Sequence, residues 1–584
     1  MRTLYRRAGE ALAALVMAAG VLMHYTSTGV HTNYLLLGLL GLACYAVIHH
    51  LAARVTVREA CIACGFGAAL SAALIVGASL RLEASLLPQM GAGRLLVQWV
   101  GLALLWGTAL AGLMVLPPRG LPALEAPRAG TKSFFFIAWA GILLCWLPYF
   151  LFYYPGVGTY DTIDQYSQIL SGVYSNPHPV THTLLMAAVI KSALALGFTE
   201  VGAVAAFTCV QMLGLSAFYA RMACFVGART RARWLAPATA ALFALFPMHA
   251  YYAITLWKDI PFSAMVVCWS MLIWRAVESE GAVFARPRFV AGWVAALLLV
   301  CFLRNNGVLL LLGTLPFLFV HFKRQRRVVA ITGAAVLAFF ALVQGPLFSL
   351  LGVAQTRLAE GLAMPLQQVA FMVTRDVPLT DAQGEAIDKV LPREEIAEVF
   401  HTDSVDAIKY HPQFDGEQLA QNLGLYGQLW LTLSVRNPAE ALQAQAALAY
   451  RYWYPDIPVL CSFEFSVMPI GGIDVFLTRP LVPAFRWVQK LDPRKLSIEY
   501  PLALPIFSSG AYLWYALAAL CCVWARRMRG YALVLLPLLV LWLSLMVGVP
   551  YAEPRYIYPL YLAMPLYACL ALRAARGEGG QPDA

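Results

Sequence analysis

An all-α protein that crosses a membrane about fourteen times is the fold class this chain predicts, on three observations. Of 584 residues, 60% are hydrophobic and only 12% charged, where a soluble domain carries about 25% charged residues. Apolar stretches long enough to span a bilayer recur along the chain. Basic residues gather in clusters between those stretches. The net charge of +11 is therefore not a nucleic-acid signal, because basic residues in such a chain set topology. No nucleic-acid partner is expected. Most of the 12 cysteines lie in apolar runs, where Cys behaves as a small hydrophobe. Cys61 and Cys64 form a CxxC within such a run, so neither redox nor metal use is expected of them. Cys461 is alone in the long polar segment, so no disulfide is expected there.

Four spans open the chain, near 9–25, 33–50, 59–80 and 95–116. Arg2, Arg6 and Arg7 followed by an apolar run to Leu22 have the look of a signal peptide. With many spans downstream, an uncleaved first helix is expected. Short loops and few polar residues make 1–133 an accessory bundle. The segment 134–350 carries spans near 134–154, 200–220, 234–254, 257–276 and 328–350, with a polar loop at 155–199. The stretch 288–321 is twice one span and is interrupted by Arg304, Asn305, Asn306 and Gly307. It reads as two helices joined by a tight polar turn. The segment 181–197 is ambiguous. Residues 351–505 carry charges throughout and many prolines, so they read as a mostly helical, water-facing domain of about one small-domain size. Its Tyr450-Arg451-Tyr452-Trp453-Tyr454 run is either a belt resting on lipid headgroups or a stacking surface for a sugar or lipid acceptor. Spans near 506–525, 530–549 and 556–572 and a short tail complete 506–584.

Charge sets the sides. The clusters Arg221/Arg229/Arg231/Arg233, Arg286/Arg288, Lys323/Arg324/Arg326/Arg327, Arg526/Arg527/Arg529 and Arg573/Arg576 belong in the cytoplasm. Counting back from the C-terminus then places Lys258-Asp259, Arg304 and Glu553-Pro554-Arg555 outside. Counting forward with Arg2/Arg6/Arg7, Arg54/Arg58 and Arg119/Arg128/Lys132 inside places Asp161 outside as well. The counts agree only if 181–197 does not cross. Both termini are then cytoplasmic, and 155–199 and 351–505 share the outer face.

Five polar groups thereby meet on that face: Asp161/Asp164, His178/His182, Lys258/Asp259, Arg304/Asn305/Asn306 and Glu553/Arg555/Tyr556. Each has a plain structural reading. Asp161 could cap a surface helix, and His178 between two prolines could be a turn residue. Lys258-Asp259 could be a local ion pair, Arg304 could reach the interface along its stem, and Arg555 could anchor a helix to headgroups. Their shared placement at span ends on one side is harder to explain that way. A carboxylate can take a proton from an acceptor hydroxyl as general base. Arg and Lys can hold a phosphate and stabilise it as a leaving group.

The order of these signals resembles the GT-C superfamily of integral-membrane glycosyltransferases, most closely bacterial multi-spanning proteins. The residues that carry the resemblance are Pro155-Gly156, Tyr160-Asp161, His178-Pro179, Lys258-Asp259, Arg304-Asn305-Asn306-Gly307 and Glu553-Pro554-Arg555-Tyr556. It covers about 134–350 and 506–572. It implies transfer of a hexosyl or pentosyl group from a polyprenyl-phosphate donor to a glycan, lipid or protein acceptor, usually with inversion. It also implies the bacterial inner membrane, with an active site facing the periplasm. The family's first-loop acid maps to Asp161 as general base, supported by Asp164 or Asp259. Arg304 is the first candidate for the donor phosphate, followed by Lys258 and Arg555. His178, His182, Asn305, Asn306, Glu553 and Tyr556 are the candidate substrate contacts. No cofactor is expected. Some relatives use paired acids and a divalent metal, but Asp161 and Asp164 depart from a tight DxD spacing.

A multi-pass transporter or lipid flippase for an envelope glycolipid is the competing class. Such proteins bind near the midplane on broken helices, whereas the ionisable residues here lie at span ends. A scaffold acting through 352–505 is a third reading. Topology is testable directly. Single cysteines introduced in 155–199 and 352–505 of a cysteine-free background should react with an impermeant thiol reagent on intact cells. Labelling of either segment only after the inner membrane is opened would overturn the non-crossing 181–197 helix.

Overall fold

A computed structural model of the protein describes residues 2–25, 34–115, 131–356, 358–459 and 473–577; Arg119, Arg128 and Cys461 fall outside them. The first four helices are α1 (Arg2–Tyr25), α2 (Tyr34–Ala52), α3 (Val57–Glu83) and α4 (Ala92–Val115). The start of α3 is fixed by a capping box, with the Thr56 hydroxyl accepting from the Glu59 N–H and Glu59 reaching back to the Thr56 N–H. This satisfies two of the N–H groups a helix start leaves orphaned. α1 packs on α2 and α4, and α3 on α4. At one end Arg526 pairs with the buried Glu59 at 3.0 Å, which ties this bundle to the rest of the protein.

The central helices are α5 (Lys132–Phe152), α6 (Tyr160–Ser171), α7 (Val180–Ala195), α8 (Glu200–Gly227), α9 (Leu235–Leu245), α10 (Pro247–Ile254), α11 (Asp259–Glu278), α12 (Pro287–Leu303), α13 (Gly307–His321), α14 (Arg326–Leu342) and α15 (Phe348–Leu350). Thr131 and Thr199 cap α5 and α8 through their hydroxyls. Pro247 separates α9 from α10 because a proline cannot donate within a helix. One apolar core joins these helices to the C-terminal ones, with Trp146, Trp274 and Trp293 fully buried in it.

The polar segment forms α16 (Ala363–Thr374), α17 (Asp381–Asp388), α18 (Arg393–Val399), α19 (Asp406–Lys409), α20 (Gly416–Gln421), α21 (Leu423–Arg436) and α22 (Pro438–Ala449). These helices have their own core, from Ala363 to Ala441. The described residues of the expected 351–505 domain that follow α22 belong elsewhere. Tyr452, Val459 and Val488 are buried in the main core. The Leu481 N–H bonds the Leu151 carbonyl at the end of α5. The aromatic run does not form a headgroup belt: Tyr452 and Tyr454 are buried, and Tyr454 packs over Gly77 and Gly510. The chain ends with α23 (Pro493–Glu499), α24 (Leu504–Phe507), α25 (Ser509–Ala525), α26 (Leu536–Gly548), α27 (Pro554–Leu562) and α28 (Met564–Ala575).

Among the described residues, nine helices are long and apolar enough to cross a membrane, or ten if the pair Pro501–Phe507 and Ser509–Ala525, bent by 66°, counts as one span. The expected spans at 234–254, 288–321 and 530–549 are the ones outside that count. Their helices are shorter: 17 residues in α12, 15 in α13 and 13 in α26. At about 1.5 Å per residue these reach less than the roughly 30 Å of a hydrocarbon core. The ambiguous stretch is α7, packed against α6, α8 and α12.

The expected polar turn is present: α12 stops at Leu303 and α13 restarts at Gly307. Gly307 is there because its backbone passes close to α12; a Cβ would lie 1.8 Å from the Val300 carbonyl oxygen. Gly307→Ala should therefore destabilise the protein by about 1–3 kcal/mol, the range for overpacking. Gly292→Ala, on the same hairpin but facing open space, should be neutral. Thermal unfolding in detergent compares the two; equal midpoints would show that the turn has room.

Candidate functional site

The site begins with a short backbone pairing. The Val157 N–H bonds the Ile254 carbonyl at 2.8 Å, and the Leu256 N–H returns to Val157. Trp257 donates to the Thr159 hydroxyl at 2.6 Å, and Thr162 to the Leu256 carbonyl at 3.1 Å. These bonds lock the entry to α6 against the entry to α11. Asp161, in the first turn of α6, thus faces Lys258, which immediately precedes α11. The N-terminal turn of α27 closes the group with Arg555.

Asp161 is the hub. Its Oδ2 lies 2.6 Å from Lys258 Nζ, 2.9 Å from Arg555 Nη1 and 3.8 Å from His178 Nδ1. Lys258 Nζ is also 2.8 Å from His178 Nδ1. The far side of that imidazole, Nε2, is 3.3 Å from Asp164, which is 71% exposed. A chain of polar groups therefore runs from Asp161, 19% exposed, out to water. Burial by itself pushes the Asp161 carboxyl up. The charges of Arg555, Lys258 and His178 outweigh it and hold the carboxyl well below the ordinary aspartate range.

A second tier lies deeper. Arg304 Nη1 is 2.8 Å from Asp259 Oδ1, and Asp259 is fully buried. The two charges form an ion pair without hydrogen-bond alignment, and among the described residues neither Asp259 oxygen has a hydrogen-bond partner. The Arg304 guanidinium sits 4.4 Å from the Tyr556 ring centroid, and that of Arg555 is 4.7 Å from Trp257 and 4.9 Å from Tyr556. Glu553 lies 2.5 Å from Arg555 Nε and accepts from Tyr551 at 2.6 Å. Burial, with Asp161 and Asp259 nearby, raises its carboxyl above the ordinary glutamate range despite Arg555.

The structure thus brings together Asp161, Asp164, His178, Lys258, Asp259, Arg304, Glu553, Arg555 and Tyr556. Three of the expected contacts sit differently. His182 is buried against Gln165 and Phe207, and burial pushes its imidazole down to about 3, so it is neutral. Asn305 donates to the Asn176 carbonyl at 2.9 Å, bracing the loop that carries His178. Asn306 is exposed at the start of α13. Asp259 is too buried to meet a substrate proton and instead holds Arg304. Sequence reasoning missed Trp257, Tyr551 and Thr159, and it expected a belt or stacking role of Tyr452, whose hydroxyl instead donates to the Glu553 carbonyl at 2.8 Å. Trp257 and Tyr551 flank the motifs, which was the available signal.

Among the described residues no group of three or more His, Cys, Asp or Glu side chains is disposed to hold a metal ion. The two first-loop acids diverge: Asp161 is engaged by cations and Asp164 faces water. They do not fit the paired-acid metal site that the resemblance allows.

The network predicts a pH signature. Asp161 has a depressed folded value, so its stabilisation is present above the unfolded value of about 3.9. It is lost as pH falls through the folded value. Asp161→Asn should cost up to about 3 kcal/mol at neutral pH, the low end for breaking a buried pair because some water reaches this one. The difference from wild type should hold down to about pH 4 and shrink below it. Thermal unfolding across pH 7 to 3 measures this; a difference independent of pH would assign the loss to packing.

No curated protein and no solved structure matches the chain. Residues 169–583 match a family described only as one of unknown function, DUF6020. The match begins within α6, past Asp161, and takes in His178, Lys258, Asp259, Arg304 and Arg555. It extends over more than half of the protein and four of the segments that build the ion cluster. The chain therefore belongs to DUF6020, a family of unknown function.

Proposed function

We propose that this protein is a membrane glycosyltransferase of GT-C-like architecture that moves a sugar from a polyprenyl-phosphate donor to a hydroxyl of a glycan, lipid or protein acceptor. The observation that carries this reading is Asp161 held between Lys258 and Arg555 at one end of the helix bundle. In the proposed topology the nine long helices, the bent 501–525 pair and the shorter helices at 235–254, 287–303, 307–321 and 536–548 make fourteen crossings. α7 is the surface helix. The short members would be accommodated by local bilayer thinning.

The side assignment has support in α11. Its 20 residues rise about 30 Å, from Asp259 in the site to Glu278. There Arg573 Nη1 is 3.0 Å and Arg229 Nη2 2.9 Å from the Glu278 carboxylate. The basic residues at that end support a cytoplasmic placement and, with it, a periplasmic Asp161 end in a bacterial inner membrane. A transporter would carry its charged site near the midplane.

In the reaction the acceptor oxygen bonds to the anomeric carbon while its proton passes to Asp161. The bond between that carbon and the donor phosphate oxygen breaks, its electron pair leaving on the polyprenyl phosphate. Lys258 and Arg555 take up the added negative charge. Without a donor the same cations hold Asp161 as a weak base. A donor phosphate that draws them away removes its counter-charges and strengthens it, so acceptor activation follows donor binding. Arg304 keeps Asp259 as counter-ion and acts behind them. That reverses the order expected from sequence, because Asp259 is buried and does not exchange.

In a deletion strain, mass spectrometry of extracted lipids should show an accumulated lipid-linked sugar, cleared by the wild-type gene but not by Asp161→Asn. An unchanged lipid pool would sink the reading. With the donor so identified, Asp161→Asn should lower turnover by about 10²–10⁴-fold while Asp161→Glu, which keeps the charge, retains part of it. Lys258→Met and Arg555→Gln should raise the donor KM more than Arg304→Gln does. The opposite order would return the phosphate to Arg304.

A further inference from the structure

The small helical domain has a partly open apolar pocket running into its core. A cavity of about 220 Å³ lies among α16, α18, α19, α20 and α21, bordered by Leu366, Ala370, Leu391, Ile408, Leu419 and Trp430. Every residue lining it is apolar, aromatic or glycine. The two with polar atoms near the wall direct them elsewhere. Tyr426 donates to the Ala386 carbonyl at 3.1 Å and Trp430 to Gln368 Oε1 at 2.6 Å. A sugar, peptide or phosphate would find no hydrogen bond here and would lose those it made in water.

Protein cores are normally packed without such voids. An apolar cavity of about 150 Å³ binds benzene, so this one has room for roughly eight or nine carbons on the same scale. Gly427 borders it, and a Cβ there would meet nothing within 4 Å. Glycine inside a helix weakens that helix, so α21 gives up helix stability at a point where its surface faces open space. Leu423 both lines the cavity and is exposed. The cavity is also close to the ion cluster. Ile408 forms its wall, three residues after Val405. The same segment is pinned to the entry of α27 by the Val405 N–H on the Pro550 carbonyl at 3.0 Å.

We propose that this cavity binds the end of a single aliphatic lipid chain beside the ion cluster. An entirely apolar lining and space for a short run of carbons define the ligand as hydrocarbon. An acyl chain and an isoprenoid chain share that chemistry. The inference rests on the cavity and not on the sugar-transfer reading, so each can fail without the other.

Trp430 supplies the probe. In full-length protein in detergent, 10-bromodecanoic acid should quench its fluorescence saturably. The Trp430 signal is the difference between wild type and Trp430→Phe. Gly427→Leu, which fills the cavity, should weaken apparent affinity at least tenfold; Ala370→Leu serves the same purpose if that variant does not fold. Displacement by decanoic acid alone assigns an acyl chain, and displacement by farnesyl phosphate assigns an isoprenoid chain. Quenching that does not saturate, is unchanged by cavity filling or is displaced by neither competitor is micelle partitioning and overturns the proposal.

Discussion

Asp161 is shared between two cations, and much of the surrounding architecture serves that contact. Removing a carboxylate, an ammonium and a guanidinium from water is costly, and only close, well-placed partners return the energy. The three groups come from positions 161, 258 and 555. Their convergence requires the entry of α6 to pair with the entry of α11 and α27 to begin at Pro554. The Val157–Ile254 and Leu256–Val157 backbone bonds and the Trp257–Thr159 bond supply the first condition. Proline in the first turn of α27 supplies the second.

The helical domain is part of the same construction. Its hydrogen bond from Val405 to Pro550 and the buried Tyr452 hydroxyl on the Glu553 carbonyl hold the loop that presents Glu553 and Arg555. Trp542 of α26 in turn donates to the Tyr452 carbonyl at 2.9 Å. The aromatic run after α22 therefore works as a bolt between the domain and the helix bundle. Its tyrosines are spent on packing and hydrogen bonds, which leaves no stacking surface at Tyr452 or Tyr454.

The electrostatics of the cluster also constrain any chemistry assigned to it. A base surrounded by two cations holds protons poorly, and the cations are most available when another anion competes for them. A phosphate ligand would satisfy both requirements at once. The imidazole of His178 and the exposed Asp164 add a polar path from Lys258 to water, a route by which a proton accepted in the interior could leave.

The sequence by itself determined the helical class, the two-helix hairpin at 288–321 and the polar groups at span ends. Composition and spacing carry those properties, because a bilayer selects apolar runs and puts charge at their ends. Tertiary structure decided which polar groups meet. Asp259 was indistinguishable from Asp161 as a carboxylate after a span, and only packing buries the first and leaves the second partly open. His182 and Asn306 lie near site residues in sequence, but helix phase turns His182 inward against Gln165 and leaves Asn306 at the surface. Span length also escaped the sequence, since an apolar run does not reveal where a 3₁₀ turn such as Arg529–Val534 shortens the helix. The cavity under α21 was invisible for the same reason: periodicity reports which face is apolar, and three-dimensional packing alone decides whether that face is filled.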